Sequence, residues 1–167
     1  SEIVAELMDF AKPAPPERRR VNVGTLLERA RDEWLERSSM TPDQFVLELS
    51  DDVPEIDVDP GQVKMAIDEL VRNSVDAMTN RERRLVVNCQ WEQADERVAI
   101  RVEDTGCGMS PATLERAMDP FFSSRPAGRG RGLGLSRAAR WIEINGGRLR
   151  IDSRENEGTT VFIEFPV

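Results

Sequence analysis

A two-layer α/β sandwich, with helices on one face of a mixed or antiparallel sheet, is the fold class that this 167-residue chain predicts. Three observations carry the expectation. Patterned segments run in the order helix, strand, helix, strand, strand, helix, loop, helix, strand, strand. A 39% hydrophobic share over this length suffices for one core in one domain. Strictly alternating strands toward the C-terminus suit a sheet with one buried and one solvated face.

The elements follow in order. Ile3, Leu7 and Phe10 share one helical stripe, closed by Lys12-Pro13-Ala14-Pro15-Pro16, so the first twelve residues read as the tail of an amphipathic helix followed by a link. Leu27, Ala30 and Trp34 recur at helical spacing, which predicts a helix over 24–38. Phe45, Leu47 and Leu49 alternate with Val46, Glu48 and Ser50, a strand pattern. Asp59-Pro60-Gly61-Gln62 is a helix start, with an acceptor at the cap, proline in the first turn and glutamine three residues on. That helix runs to about Met78. It buries Val63, Ile67, Leu70, Val71 and Ser74 and places Glu69, Asn73 and Asp76 on one neighbouring stripe. Strands over 85–92 and 97–103 turn at Ala94-Asp95-Glu96. Ser110-Pro111 caps a short helix, residues 123–131 form a polar loop, and a helix over 132–144 closes at Asn145-Gly146-Gly147 in a left-handed cap. A hairpin of 148–154 and 159–165 around Glu155-Asn156-Glu157-Gly158 ends the chain.

Composition narrows the chemistry. Basic residues number 23 against 31 acidic, a net charge of −8, which argues against nucleic-acid binding. Between Arg125 and Arg150, however, seven arginines face the single acid Glu143, so this segment carries +6 and the remainder −14. A cationic segment on an acidic chain suggests a specific anion site. Histidine and tyrosine are absent, which closes Ser-His-Asp, Cys-His and histidine-metal schemes to this chain acting alone. Cys89 and Cys107 are too few and too far apart for a disulfide framework or a CxxC site, and a reducing, cytoplasmic setting fits best. No apolar run is long enough for a membrane helix.

Four short features remain. Asp104-Thr105-Gly106-Cys107-Gly108 is a glycine loop directly after a strand, a pattern shared by ordinary turns. Gly128-Arg129-Gly130-Arg131-Gly132-Leu133-Gly134-Leu135 opens a helix; backbone N–H groups free of side chains there, with arginines beside them, make a phosphate cradle. It lacks a Walker A ending and follows no strand, so neither a P-loop nor a Rossmann reading fits. Asn73 reads either as a polar residue satisfied at the core edge or as a neutral oxygen ligand for Mg²⁺. Glu69, one turn earlier, reads either as a surface acid or as a proton acceptor for an attacking hydroxyl or water.

In order and spacing, residues 69–77, 104–108, Asp119-Pro120-Phe121-Phe122 and 128–135 resemble the N box, first glycine box, F box and second glycine box of sensor histidine kinases in the GHKL ATPase superfamily. The resemblance covers about residues 22–167 and implies a Bergerat-type ATP-binding fold. Residues 2–13 look like the end of the second helix of a dimerisation domain, so it implies a division into 1–14, helix end and linker, and 15–167, catalytic domain. It further implies ATP and Mg²⁺ as ligands, with Asn73 on the metal and Asp104 on the adenine amino group. Gly106 and Gly108 would admit the base and sugar, Phe121 and Phe122 pack the root of a lid over 123–131, and Gly130, Gly132, Leu133 and Gly134 hold the phosphates. Two departures stand out: Asp76 occupies a position often basic in the family, and Arg125 and Arg131 replace a common lysine and threonine as candidate phosphate contacts. The phosphoacceptor histidine is missing. The implied activity is transfer of the ATP γ-phosphoryl group to a histidine on a dimerisation domain of the same full-length protein, a homodimer for which the resemblance allows anchoring in the inner membrane, with a response-regulator receiver domain as the next partner. Two competing expectations are a GHKL ATPase or protein-serine kinase using Glu69 as base, and a nucleotide-binding pseudokinase.

Overall fold

The computed structural model describes residues 13–79, 82–119 and 134–167. The expected N-terminal helix over 1–12 and the loop over 123–131 lie outside the described residues. Five strands form a mixed sheet in the order β2-β4-β5-β7-β6, where β2 is Phe45–Leu49, β4 Leu85–Glu92, β5 Arg97–Asp104, β6 Arg148–Arg154 and β7 Gly158–Pro166. Only β2 runs parallel to its neighbour, β4; the other three pairings are antiparallel. Three long helices pack with this sheet in one core: α1 (Val23–Arg37), α2 (Pro60–Ala77) and α4 (Gly134–Ile144), with the short α3 (Pro111–Arg116) before the last.

Register explains the layering. Val87 pairs with Val102, Val102 with Val161, and Ile100 with Ile163, so one face of β4, β5 and β7 is a continuous apolar sheet. Val63, Ile67, Leu70 and Val71 of α2 are buried with that face, as the 3.6-residue pattern predicts. The alternate residues carry charge: Arg97 bridges Glu92 and Glu164, and the Arg150 guanidinium lies 4.1 Å over the Phe162 ring. One face is thus dry and the other solvated, and the sandwich has two layers. Cys89 belongs to the dry face, and burial pushes its thiol up to about 12, far from reactive range.

Two details depart from the expectation. Arg19–Val21 (β1) and Ile56–Val58 (β3) pair antiparallel as a separate ribbon. Three-residue strands are too short to show a period, so their pairing is invisible locally. The second departure is at the start of α2. Asp59 accepts from the Gln62 N–H at 3.1 Å, as a cap should, but Gln62 does not reach back to close the box. Its side chain donates to Ala14 O at 2.8 Å and accepts from Asn145 Nδ2 at 3.0 Å, while Asn145 Oδ1 takes the Asp59 N–H at 2.8 Å. Buried Asn145, beyond the end of α4, therefore completes the cap of α2 from 86 residues away. The left-handed turn expected there falls on Gly146, with φ +86°.

No helix among the described residues is long and apolar enough to cross a membrane.

Candidate functional site

The site is assembled along α2. Its apolar stripe must face the sheet, and this fixes where the adjoining polar stripe points: toward the start of α4. Glu69 is buried there, Asn73 is half-buried and Asp76 is exposed. A Cβ built on Gly134, the first residue of α4, would lie 3.2 Å from Glu69 Oε2 and 3.3 Å from both Asn73 Oδ1 and Nδ2. Glu69 and Asn73 thus meet Gly134, 65 and 61 positions later in sequence, at the N-terminus of a helix, where partial positive charge collects. A glycine at this point leaves the helix start open to the Asn73 oxygen.

Glu69 is not a free carboxylate. Its Oε1 accepts a hydrogen bond from Arg137 Nη2 at 2.5 Å, and Arg72 Nη1 lies 3.6 Å away. The Arg137 contact is the stronger of the two: its side chain is 17% exposed against 50% for Arg72, so solvent screens the second far more. Arg137 is further packed against the Trp141 ring, its guanidinium carbon 5.3 Å from the centroid. In the sequence Arg137 stands out only as one arginine of the +6 segment; its pairing with Glu69, 68 positions earlier, is set by how α4 crosses α2 and has no local signal.

The second half of the site is the loop 104–108. Asp104 ends β5 and is buried; burial raises its carboxyl from the ordinary carboxylate value, opposed by hydrogen bonds from the Gly106 N–H, the Ser74 hydroxyl and the Thr159 N–H. The carboxylate is therefore held in place by three donors from three elements. The loop is fastened on both sides. Cys107 N–H donates to Ala77 O at the end of α2, and Asn156 N–H donates to Cys107 O from the β6–β7 turn. A Cβ on Gly106 would meet the Ala77 Cβ at 2.7 Å, so the loop runs against α2 at a distance only glycine allows. Thr105 Oγ1 donates to Glu82 O and accepts from the Arg84 N–H, tying the loop to the chain entering β4.

Asn73, Glu69, Asp104, Gly106 and Gly134 thus lie along one edge of α2 and its C-terminus, while Gly108 of the same loop packs against Arg154 and Gly158 of the β6–β7 hairpin. Phe121, Phe122, Arg125, Gly130, Arg131, Gly132 and Leu133 lie outside the described residues. Among the described residues no cluster of three or more acidic or cysteine side chains could hold a metal by itself.

Comparison with known proteins identifies the family and the fold. Residues 58–167, more than half of the chain, match the family model described as histidine kinase-, DNA gyrase B- and HSP90-like ATPase. The signal transduction histidine-protein kinase AtoS of Escherichia coli (strain K12) is 26% identical over the whole chain, which covers 27% of AtoS. The chain spans between about a fifth and a third of the length of the first curated relatives it matches. Among solved structures, full-length ShkA in complex with AMPPNP superposes with a TM-score of 0.82 at 22% identity, covering 99% of this chain and 35% of ShkA. The histidine kinase ThkA in complex with the response regulator protein TrrA gives 0.79 at 22% identity, covering 99% of this chain and 46% of that one. At these identities the structures speak for the fold, and the family match carries the assignment: this chain belongs to the histidine kinase-, DNA gyrase B- and HSP90-like ATPase family.

Proposed function

We propose that this chain is the ATP-binding catalytic unit of a two-component sensor kinase, working in the cytoplasm. Residues 15–167 form the catalytic domain, and residues 1–14 are the end of a dimerisation helix with its linker. The observation that carries the reading is the convergence of Asn73 Oδ1 with the Gly134 start of α4, on the helix whose C-terminus holds the Asp104 loop. Adenine would be read by Asp104, a fixed acceptor suited to an exocyclic amino group and unsuited to the guanine oxygen. The phosphates would lie at the N-terminus of α4. Asn73 supplies a neutral oxygen, a donor type that suits Mg²⁺, which keeps most of its coordination for phosphate and water. Mg²⁺, when bound, supplies neutralisation of phosphate charge.

The chain contains no histidine, so its acceptor is a histidine on the dimerisation domain of the full-length protein, a homodimer. The acceptor nitrogen attacks the γ-phosphorus, the bond from that phosphorus to the β–γ bridging oxygen breaks, and ADP leaves with the electron pair. A response-regulator receiver domain then takes the phosphoryl group; the ThkA–TrrA complex is a relative of this fold with such a partner. Buried Glu69, one turn before Asn73, favours a second reading, an ATPase or serine kinase with Glu69 as base.

The test supplies a histidine-bearing dimerisation domain and labelled ATP. Transfer by the unaltered chain and its loss in Asn73→Ala are expected. Full transfer by Asn73→Ala would overturn the metal assignment, and hydrolysis lost in Glu69→Ala without transfer would establish the second reading.

A further inference from the structure

A buried carboxylate beside a triphosphate site poses an electrostatic problem. Glu69 Oε2 lies under the first turn of α4, beside the Asn73 amide, where an anion would be held. At the low effective dielectric of a buried site, two neighbouring anions repel by several-fold more than in water. Something must cancel the Glu69 charge before a chain of phosphates can settle there.

The cancelling group is Arg137. It is three residues into α4, so it comes from the same helix whose N-terminus would receive the phosphates. Its Nη2 donates to Glu69 Oε1, its guanidinium packs against Trp141, and its Nε is buried with no hydrogen-bond partner among the described residues. The charge is committed to Glu69 and not held out to solvent. Arg72 is a poor substitute at 3.6 Å and half exposed.

We propose that Arg137 is a positioning residue that neutralises Glu69 beneath the start of α4, and that this pairing sets how many phosphates the site accepts. The inference rests on the nucleotide reading above and adds to it the group that makes a buried acid compatible with an anionic ligand. Removing one partner of a buried pair leaves an uncompensated charge, whereas removing both leaves a neutral site. The effect must grow with ligand charge and vanish for a ligand with none.

The experiment titrates the 167-residue chain and its Arg137→Met, Glu69→Gln and doubly substituted variants with adenosine, ADP and AMPPNP. Arg137→Met should weaken AMPPNP by roughly tenfold or more, ADP by less and adenosine not at all. Glu69→Gln should tighten AMPPNP, and the double variant should return to within about twofold of the unaltered chain. Equal losses for adenosine and AMPPNP in Arg137→Met would mark a merely structural role and overturn the proposal, as would a double variant no better than Arg137→Met. If Arg137→Met does not fold, Glu69→Gln decides alone: tighter AMPPNP with unchanged adenosine supports the proposal, and equal or weaker AMPPNP overturns it. Absence of all nucleotide binding by the unaltered chain is a different result, which would remove the nucleotide reading and this inference with it.

Discussion

Gly108→Ala is the perturbation whose consequence the structure fixes most tightly. Gly108 has φ +66°, and a Cβ built there would lie 1.9 Å from the Arg154 carbonyl oxygen. Cβ atoms keep at least 3.0 Å from such backbone atoms, so the seam between the 104–108 loop and the β6–β7 hairpin must open by the difference, about 1.1 Å. Two of the hydrogen bonds across that seam flank Gly108: Asn156 N–H to Cys107 O at 2.7 Å and Met109 N–H to Ser153 Oγ at 2.9 Å. An opening of that size carries both beyond hydrogen-bonding distance. At about 1 kcal/mol net for each, with about 1–2 kcal/mol for a left-handed non-glycine residue, the loss is about 3–4 kcal/mol. Urea denaturation followed by tryptophan fluorescence reads it. With a slope of about 2 kcal/mol per molar, the midpoint should fall by about 1.5–2 M at unchanged slope. Affinity for ADP should fall as well, because Asp104 and Gly106 lose their frame. A midpoint shift below about 0.5 M with native ADP affinity would refute the reasoning, since it would mean that the loop and hairpin are not packed as described.

Two further outcomes are expected. In the native state burial raises the Asp104 carboxyl above its unfolded value, so the folded chain binds that proton more tightly and stability falls as pH rises through the interval between the two values. Asp104→Asn removes this slope and should leave the ligand-free chain no less stable at neutral pH, while abolishing preference for adenine over guanine nucleotides; urea midpoints across pH and paired ATP and GTP titrations check both. Asn145→Ala leaves the Asp59 N–H, Gln62 Oε1 and Trp141 O without their partner, and at about 1 kcal/mol or more each should cost about 3 kcal/mol, read as a urea midpoint shift.

Those two residues also mark how far the sequence was legible. Asp104 was found because a glycine loop after an alternating strand is a local pattern, and the order of four such patterns pointed to one superfamily. The α2 face was legible for the same reason, since its period and its Asp59 cap are written in adjacent residues. Asn145 was seen only as part of a helix-ending turn, because its partners Asp59 and Gln62 lie 86 and 83 positions away. Arg137 was hidden within a count of arginines: its meaning depends on Glu69, 68 positions earlier, and pairing of that kind is set by how α4 crosses α2. Strands β1 and β3 were missed because three residues of each carry no period. What the sequence left out was long-range polar pairing, which no local propensity encodes.

The most direct test of the account is calorimetric titration of this chain with ADP and AMPPNP, with and without Mg²⁺, beside GTP. The account predicts adenine-selective binding that Mg²⁺ strengthens for AMPPNP. No binding at millimolar nucleotide by a chain shown to be folded would contradict it, and would leave a family fold without the family's chemistry.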